Sequence, residues 1–183
     1  MDYFPREPRL LRPGNYPPGL PGMSVAVAES SGGTAVAVVN LQGRVFMPAI
    51  DCPFRKADEI LAELDPAVKV IFIDFHAEAT SEKVAFGWHV DGRVSAIVGT
   101  HTHIPTADAW VLPGGTAFVT DVGMTGSYHS VIGMRVEASL NRFLTGLGSR
   151  FEPATESPRF CAVVVDIDEE TGNARSIERC DRG

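Results

Sequence analysis

Residues 68–75 read VKVIFIDF, an apolar run of strand length that ends at His76. A run that stays apolar on successive positions, rather than alternating ones, predicts a strand covered on both faces. Such strands sit in parallel sheets flanked by helices. Residues 94–98 form a second short run of this kind. Between the two, Thr80–Val90 reads as a helix closed by Asp91-Gly92. Upstream, Asp51-Cys52-Pro53 predicts a helix start, with Asp51 as its cap and Pro53 in the first turn. Ala57, Ile60, Leu61 and Leu64 then recur on one face at i, i+3, i+4 and i+7. Buried strands alternating with helices indicate an α/β fold.

Hairpins complete the pattern. Residues 23–28 and 34–41 flank the turn signal Ser31-Gly32-Gly33. Residues 107–112 and 116–120 flank Pro113-Gly114-Gly115, and residues 160–168 and 174–178 flank 169–173. Residues 135–144 are helical in pattern. Residues 1–22 carry Pro5, Pro8, Pro13, Pro17, Pro18 and Pro21, which predicts an extended, irregular lead-in. No internal repeat or linker divides the chain, so residues 1–183 are expected to form a single domain. A length of 183 residues suits one domain with a real apolar core.

The charge balance narrows the function classes. The 16 basic and 23 acidic side chains leave a net charge of −7. That is opposite in sign to the basic footprint of a non-specific nucleic-acid binder, and no direct DNA-binding motif is present. An acidic protein that handles phosphate needs metal ions or a local positive field. No apolar run approaches the ~18 residues of a membrane span. Cys52, Cys161 and Cys180 are odd in number and scattered, without CxxC spacing. They are expected to be ordinary thiols in a reducing cytosol, and the protein to be cytoplasmic.

The candidate chemistry lies in two segments. Phe75-His76-Ala77-Glu78 follows the first buried strand, and Gly99-Thr100-His101-Thr102-His103 follows the second. In open α/β sheets, sites are built where strands end. Three of the five histidines fall within these two segments. In an extended His-Thr-His, the i, i+2 rings point to one side, so His101 and His103 are expected to reach a shared metal cluster with His76. Asp74, inside the strand, is a candidate to orient a ligand. Thr102 is a second such candidate. Glu78 is either a third or simply a charge at a helix start. His89 and His129 lack such context and are expected to play surface or packing roles.

Other chemistries lack their spacing. There is no HExxH, no GxSxG and no GxxxxGK[ST]. The Gly-rich loop from Asp121 to Gly126 could turn backbone amides toward an anion, but a plain turn is the simpler reading.

These segments, together with Ala79-Thr80-Ser81-Glu82-Lys83, Asn40-Leu41-Gln42-Gly43-Arg44, Asp121-Val122-Gly123-Met124-Thr125-Gly126 and Val164-Val165-Asp166-Ile167-Asp168, resemble the YmdB-like bacterial metallophosphoesterases. This is a branch of the calcineurin-like phosphoesterase superfamily. The resemblance runs in order along nearly the whole chain. It implies the C-terminal part of a four-layer α/β/β/α metallophosphoesterase sandwich. It also implies phosphodiesterase activity on cyclic nucleotides such as 2′,3′-cAMP, with two transition metals, iron or manganese, at the strand ends. By motif, His76 and His101 would mainly serve one metal and His103 the other. Neutral imidazole suits such metals, and two metals clamp the charge of an in-line displacement.

The family's Gly-Asp, Gly-Glu-Asn and Gly-Asn-His-Thr-Trp-Asp motifs, which carry its carboxylate ligands and its catalytic histidine, have no counterpart here. The resemblance therefore implies no catalytic residue in this chain. Alone, it is expected to bind at most one metal weakly and not to turn over. Family strands absent from this sequence are expected to lie beside the strand that presents His76. Their absence would expose sheet edges and apolar surface, giving low solubility or self-association. Two other readings stand beside the enzyme: a non-catalytic interaction module whose sheet edge accepts a partner strand, and one half of a two-chain enzyme. A homo-oligomer is compatible with each reading.

Overall fold

A computed structural model describes residues 3–183. Met1 and Asp2 of the expected irregular lead-in lie outside the described residues. From Tyr3 onward the lead-in holds one short 3₁₀ turn, Phe4–Arg6. It is then tied down rather than loose. Arg12 N–H donates to the Met23 carbonyl, and Gly14 N–H to the Asn40 carbonyl, both at 2.9 Å.

The chain then builds β1 (Val25–Glu29), β2 (Ala35–Gln42), α1 (Pro53–Glu63), β3 (Val70–His76), α2 (Thr80–Val90), β4 (Ala96–Thr100), β5 (Trp110–Val111), β6 (Ala117–Val119), β7 (Gly126–Ser127), α3 (Val136–Thr145), β8 (Pro158–Arg159), β9 (Val163–Ile167) and β10 (Ala174–Arg179). Six strands form the main sheet in the order β1-β2-β3-β4-β6-β5. The central strands β2, β3, β4 and β6 run parallel. The antiparallel β1 and β5 close the two edges.

Alternation along β3 and β4 divides the core. Ile71, Ile73, Phe75 and Ile97 face α1 and α2, where they meet Ala57, Ile60, Phe86 and Val90. The Phe75 and Phe86 rings stack at 4.2 Å between centroids. Phe72, Ala96 and Val98 face the other way, onto Ala174 and Ile177 of β10 and Val163 and Val165 of β9. Each large side chain so buried contributes about 1.5–3 kcal/mol. The result is a mixed α/β fold: two helices, a largely parallel sheet, and the β9–β10 hairpin on its far face. These are three of the four layers that the sequence resemblance implies.

Several expectations need correction. Asp51 does not cap α1. Cys52 holds the cap position without a side-chain bond, and the Asp51 carbonyl instead accepts from Asn15 Nδ2 at 2.9 Å. The strand expected over 107–112 shrinks to Trp110–Val111. β7 and β8 went unforeseen, because two residues carry no periodicity. Most importantly, β3 is paired on both sides from within this chain, by β2 and by β4. No neighbouring slot beside the His76 strand is left for a further strand.

Candidate metal centre

The parallel registers bring the site together. At the C-terminal end of the sheet Gln42 stands beside His76, and His76 beside Thr100. Asn40 and Asp74 pair two steps earlier. Strand ends therefore deliver an amide, a carboxylate, a hydroxyl and an imidazole to one edge.

Their hydrogen bonds fix proton positions. Asn40 Nδ2 donates to Asp74 Oδ2 at 2.8 Å, and Thr100 Oγ1 donates to Asp74 Oδ1 at 2.8 Å. A carboxylate only accepts, so the single Thr100 hydrogen is spent on it. The 3.1 Å contact between Thr100 Oγ1 and His76 Nδ1 is then an acceptance from Nδ1–H. In neutral His76 this leaves Nε2 bare, and its lone pair points at His101 Nδ1, 2.9 Å away. The two rings meet edge to face at 4.7 Å between centroids. Burial, then the charge of His101, holds His76 below the ordinary imidazole range, while Asp74 pulls the other way. On the far side of His101, Nε2 lies 3.0 Å from Glu78 Oε2.

Of the residues expected from the sequence, His76, His101, Asp74 and Glu78 come together. Among the described residues His103 shares no hydrogen bond with them. His101 and His103 have φ of 107° and 68°, so the segment is not extended and the i, i+2 rule does not apply. His103 Nδ1–H donates to the Ile132 carbonyl at 2.9 Å, which leaves Nε2 as the ring nitrogen outside this bond. Among the described residues no group of three or more His, Cys, Asp or Glu side chains is close enough to hold a metal ion. The donor chemistry still fits a transition metal: a bare imidazole nitrogen of fixed tautomer, a second imidazole and a carboxylate.

Thr102 acts as an anchor. Its N–H and its Oγ1 both donate to Asp121 Oδ2, at 3.0 and 2.7 Å. Lys83 Nζ donates to the same oxygen at 2.9 Å, and both charged side chains are 1% exposed. Burial alone would raise the Asp121 carboxyl, but bonds from Lys83, Thr102 and the Gly123 N–H outweigh it and hold it below the usual carboxylate range. Within the Gly-rich loop the Gly123 N–H goes to Asp121 Oδ1 and the Val122 N–H to the Gly99 carbonyl, so both amides are spent inside the protein, as in a plain turn. His89 and His129 pair on the surface with Asp58 and Glu156. Asn40, Thr100, Lys83 and Asp121 were not foreseen. The available signal was a polar residue within, ending or just beyond a buried strand (Asn40, Thr100, Asp121) or interrupting a buried helix face (Lys83).

Comparison with known proteins follows the same line. The family model described as YmdB-like protein matches residues 1–180. The Bacillus subtilis 2′,3′-cyclic-nucleotide 2′-phosphodiesterase is 52% identical over 179 residues, covering 98% of this chain and 67% of that protein. A putative phosphatase/phosphodiesterase of Mycoplasma pneumoniae is 41% identical over 65% of this chain and 42% of its own length. Among solved structures, a hypothetical protein from Thermus thermophilus superposes with a TM-score of 0.92 at 44% identity, over 99% of this chain and 69% of that one. A novel phosphatase from Mycoplasma pneumoniae superposes at 0.88 and 34% identity, over 96% and 64%. The chain thus spans between two fifths and about two thirds of its relatives' length. It belongs to the YmdB-like family, and through its phosphodiesterase and phosphatase relatives that is a family of phosphoester hydrolases.

Proposed function

We propose that this chain carries the histidine part of a metal-dependent phosphodiesterase centre acting on 2′,3′-cyclic nucleotides. His76, His101 and His103 are its metal ligands. The observation that carries this reading is the bare Nε2 of His76, fixed by Asp74 and Thr100 and aimed at the His101 ring at the strand ends. The relatives' phosphodiesterase names supply the reaction and the nucleotide class.

Bound metals supply Lewis-acid charge to a phosphoryl group. The chain's own residues prepare for that. Asp74 and Thr100 keep a proton on His76 Nδ1, so the ring offers only Nε2. Glu78 faces His101 Nε2 and adds negative charge where a cation arrives. Ile132 turns His103 so that its Nε2 is the free nitrogen. Iron or manganese matches imidazole and carboxylate donors. Three neutral imidazoles do not neutralise two metals, so a two-metal centre needs further, anionic donors.

The test is to load the purified chain with Mn²⁺ or Fe²⁺, count retained metal by elemental mass spectrometry, and assay 2′,3′-cAMP hydrolysis. At most one ion per chain and no turnover are expected. His76→Ala and His101→Ala should each abolish retention. Retention unchanged in both variants would refute the ligand assignment.

A further inference from the structure

The His101-Thr102-His103 segment does not hold itself in place. Both histidines have positive φ, a region that favours glycine over residues with a Cβ. Two ligands so close together in that conformation persist only where the surroundings over-determine them. The surroundings here are narrow. Thr102, between the two, spends its N–H and its hydroxyl on one oxygen, Asp121 Oδ2. Asp121 stands just beyond β6. Its carboxylate is held by Lys83 from α2 and by the Gly123 amide from its own loop. Three elements meet at one buried carboxylate.

An ion pair in that position is a poor source of stability. Burying two charges costs several kcal/mol per ion before the pair is made, and apolar side chains of like volume often do as well. Apolar side chains could not accept the two Thr102 donors. The pair therefore has a task that packing cannot perform. We propose that Lys83 and Asp121 are positioning residues for the metal centre: the Lys83–Asp121 pair clamps Thr102 and thereby sets the rings of His101 and His103. The ligand part of this statement rests on the function proposed above. The clamp itself does not.

The experiment uses the whole chain with Lys83→Met, Asp121→Asn and Thr102→Val. Lys83→Met keeps the length of the side chain without its charge. Asp121→Asn keeps the shape with one acceptor fewer. Thr102→Val removes only the hydroxyl, and serves if either charge variant fails to fold. Backbone and imidazole resonances of His101 and His103 are read by NMR without metal, and Mn²⁺ affinity is read by paramagnetic broadening of the same rings. The expected result is a shift at residues 101–103 as well as beside the substituted residue, an unchanged His89 signal, and roughly 10–100-fold weaker Mn²⁺ binding, the usual size of an outer-shell effect. In the unmodified chain the Thr102 amide should exchange slowly with solvent.

Folded variants with parental His101 and His103 resonances would overturn the clamp, as would a Thr102 amide that exchanges at the rate of an open loop. A parental chain that binds no Mn²⁺, with resonances that move as expected, would refute the metal assignment and leave the clamp standing.

Discussion

At the scale of single residues, the site depends on where protons sit. Thr100 joins a carboxylate to an imidazole with one hydroxyl. Thr100→Val removes the acceptor for His76 Nδ1–H and leaves one Asp74 oxygen short of a donor. The loss should cost about 1–3 kcal/mol in urea unfolding. It should also release His76 into a mixture of tautomers, visible in imidazole nitrogen shifts. Asp121 makes a second prediction. Its carboxyl is depressed in the folded state, so its contribution is present above the unfolded value of 3.8 and is lost as pH falls through the folded one. Asp121→Asn starts without that contribution at neutral pH. Acid unfolding followed by circular dichroism should thus begin at higher pH in this variant than in the parent. Neither residue could be given this role from sequence. Thr100 and Asp121 look like ordinary strand-end polar residues until register and packing show what stands opposite them.

At the scale of elements, legibility tracked length and burial. α2 is read from sequence to the residue, Thr80–Val90, because Asp91-Gly92 closes it. β3 and β4 were legible as largely apolar runs, although β4 lies two residues later, at Ala96–Thr100, than the 94–98 read from sequence. The turn of His-Thr-His was not, since nothing local in the sequence announces two positive φ values. Its partners are far along the chain: the Asp121 carboxylate that takes both Thr102 donors lies 19 residues away. Gly99 shows how tightly these elements meet. A Cβ there would lie 1.7 Å from the Thr120 carbonyl oxygen and 3.2 Å from Lys83 Cδ. Gly99→Ala must push β4 from the chain beyond β6, and overpacking of this kind costs about 1–3 kcal/mol or more. A lowered urea midpoint, or recovery only in the insoluble fraction, is the expected outcome.

At the scale of the molecule, apolar surface is exposed along α3 and not beside the His76 strand, where the sequence reading puts it and where β2 and β4 occupy both sides. α3 buries only Ser139, while Leu140, Phe143, Leu144 and Leu147 are 50–82% exposed. Leu140, Phe143 and Leu144 share one face of α3, and Leu147 follows just beyond its Gly146 cap. Apolar surface of this kind lowers solubility. Replacing Phe143 and Leu144 by Gln should raise the concentration at which the chain precipitates, measured by light scattering. Thermal stability should change by less than about 0.5 kcal/mol, as for other surface substitutions.

The sheet register carries a consequence for folding errors. β3 lies flush between β2 and β4, with His76 level with Gln42 and Thr100. A slip of one residue along β3 would turn Phe75 out of the helix-facing core and drive His76 into it, because strand faces alternate. The slipped chain would lose its core and its imidazole pair in the same step. A molecule slipped by one residue therefore cannot combine a well-packed interior with a misplaced histidine pair, and a packed core screens out that error at the site as well.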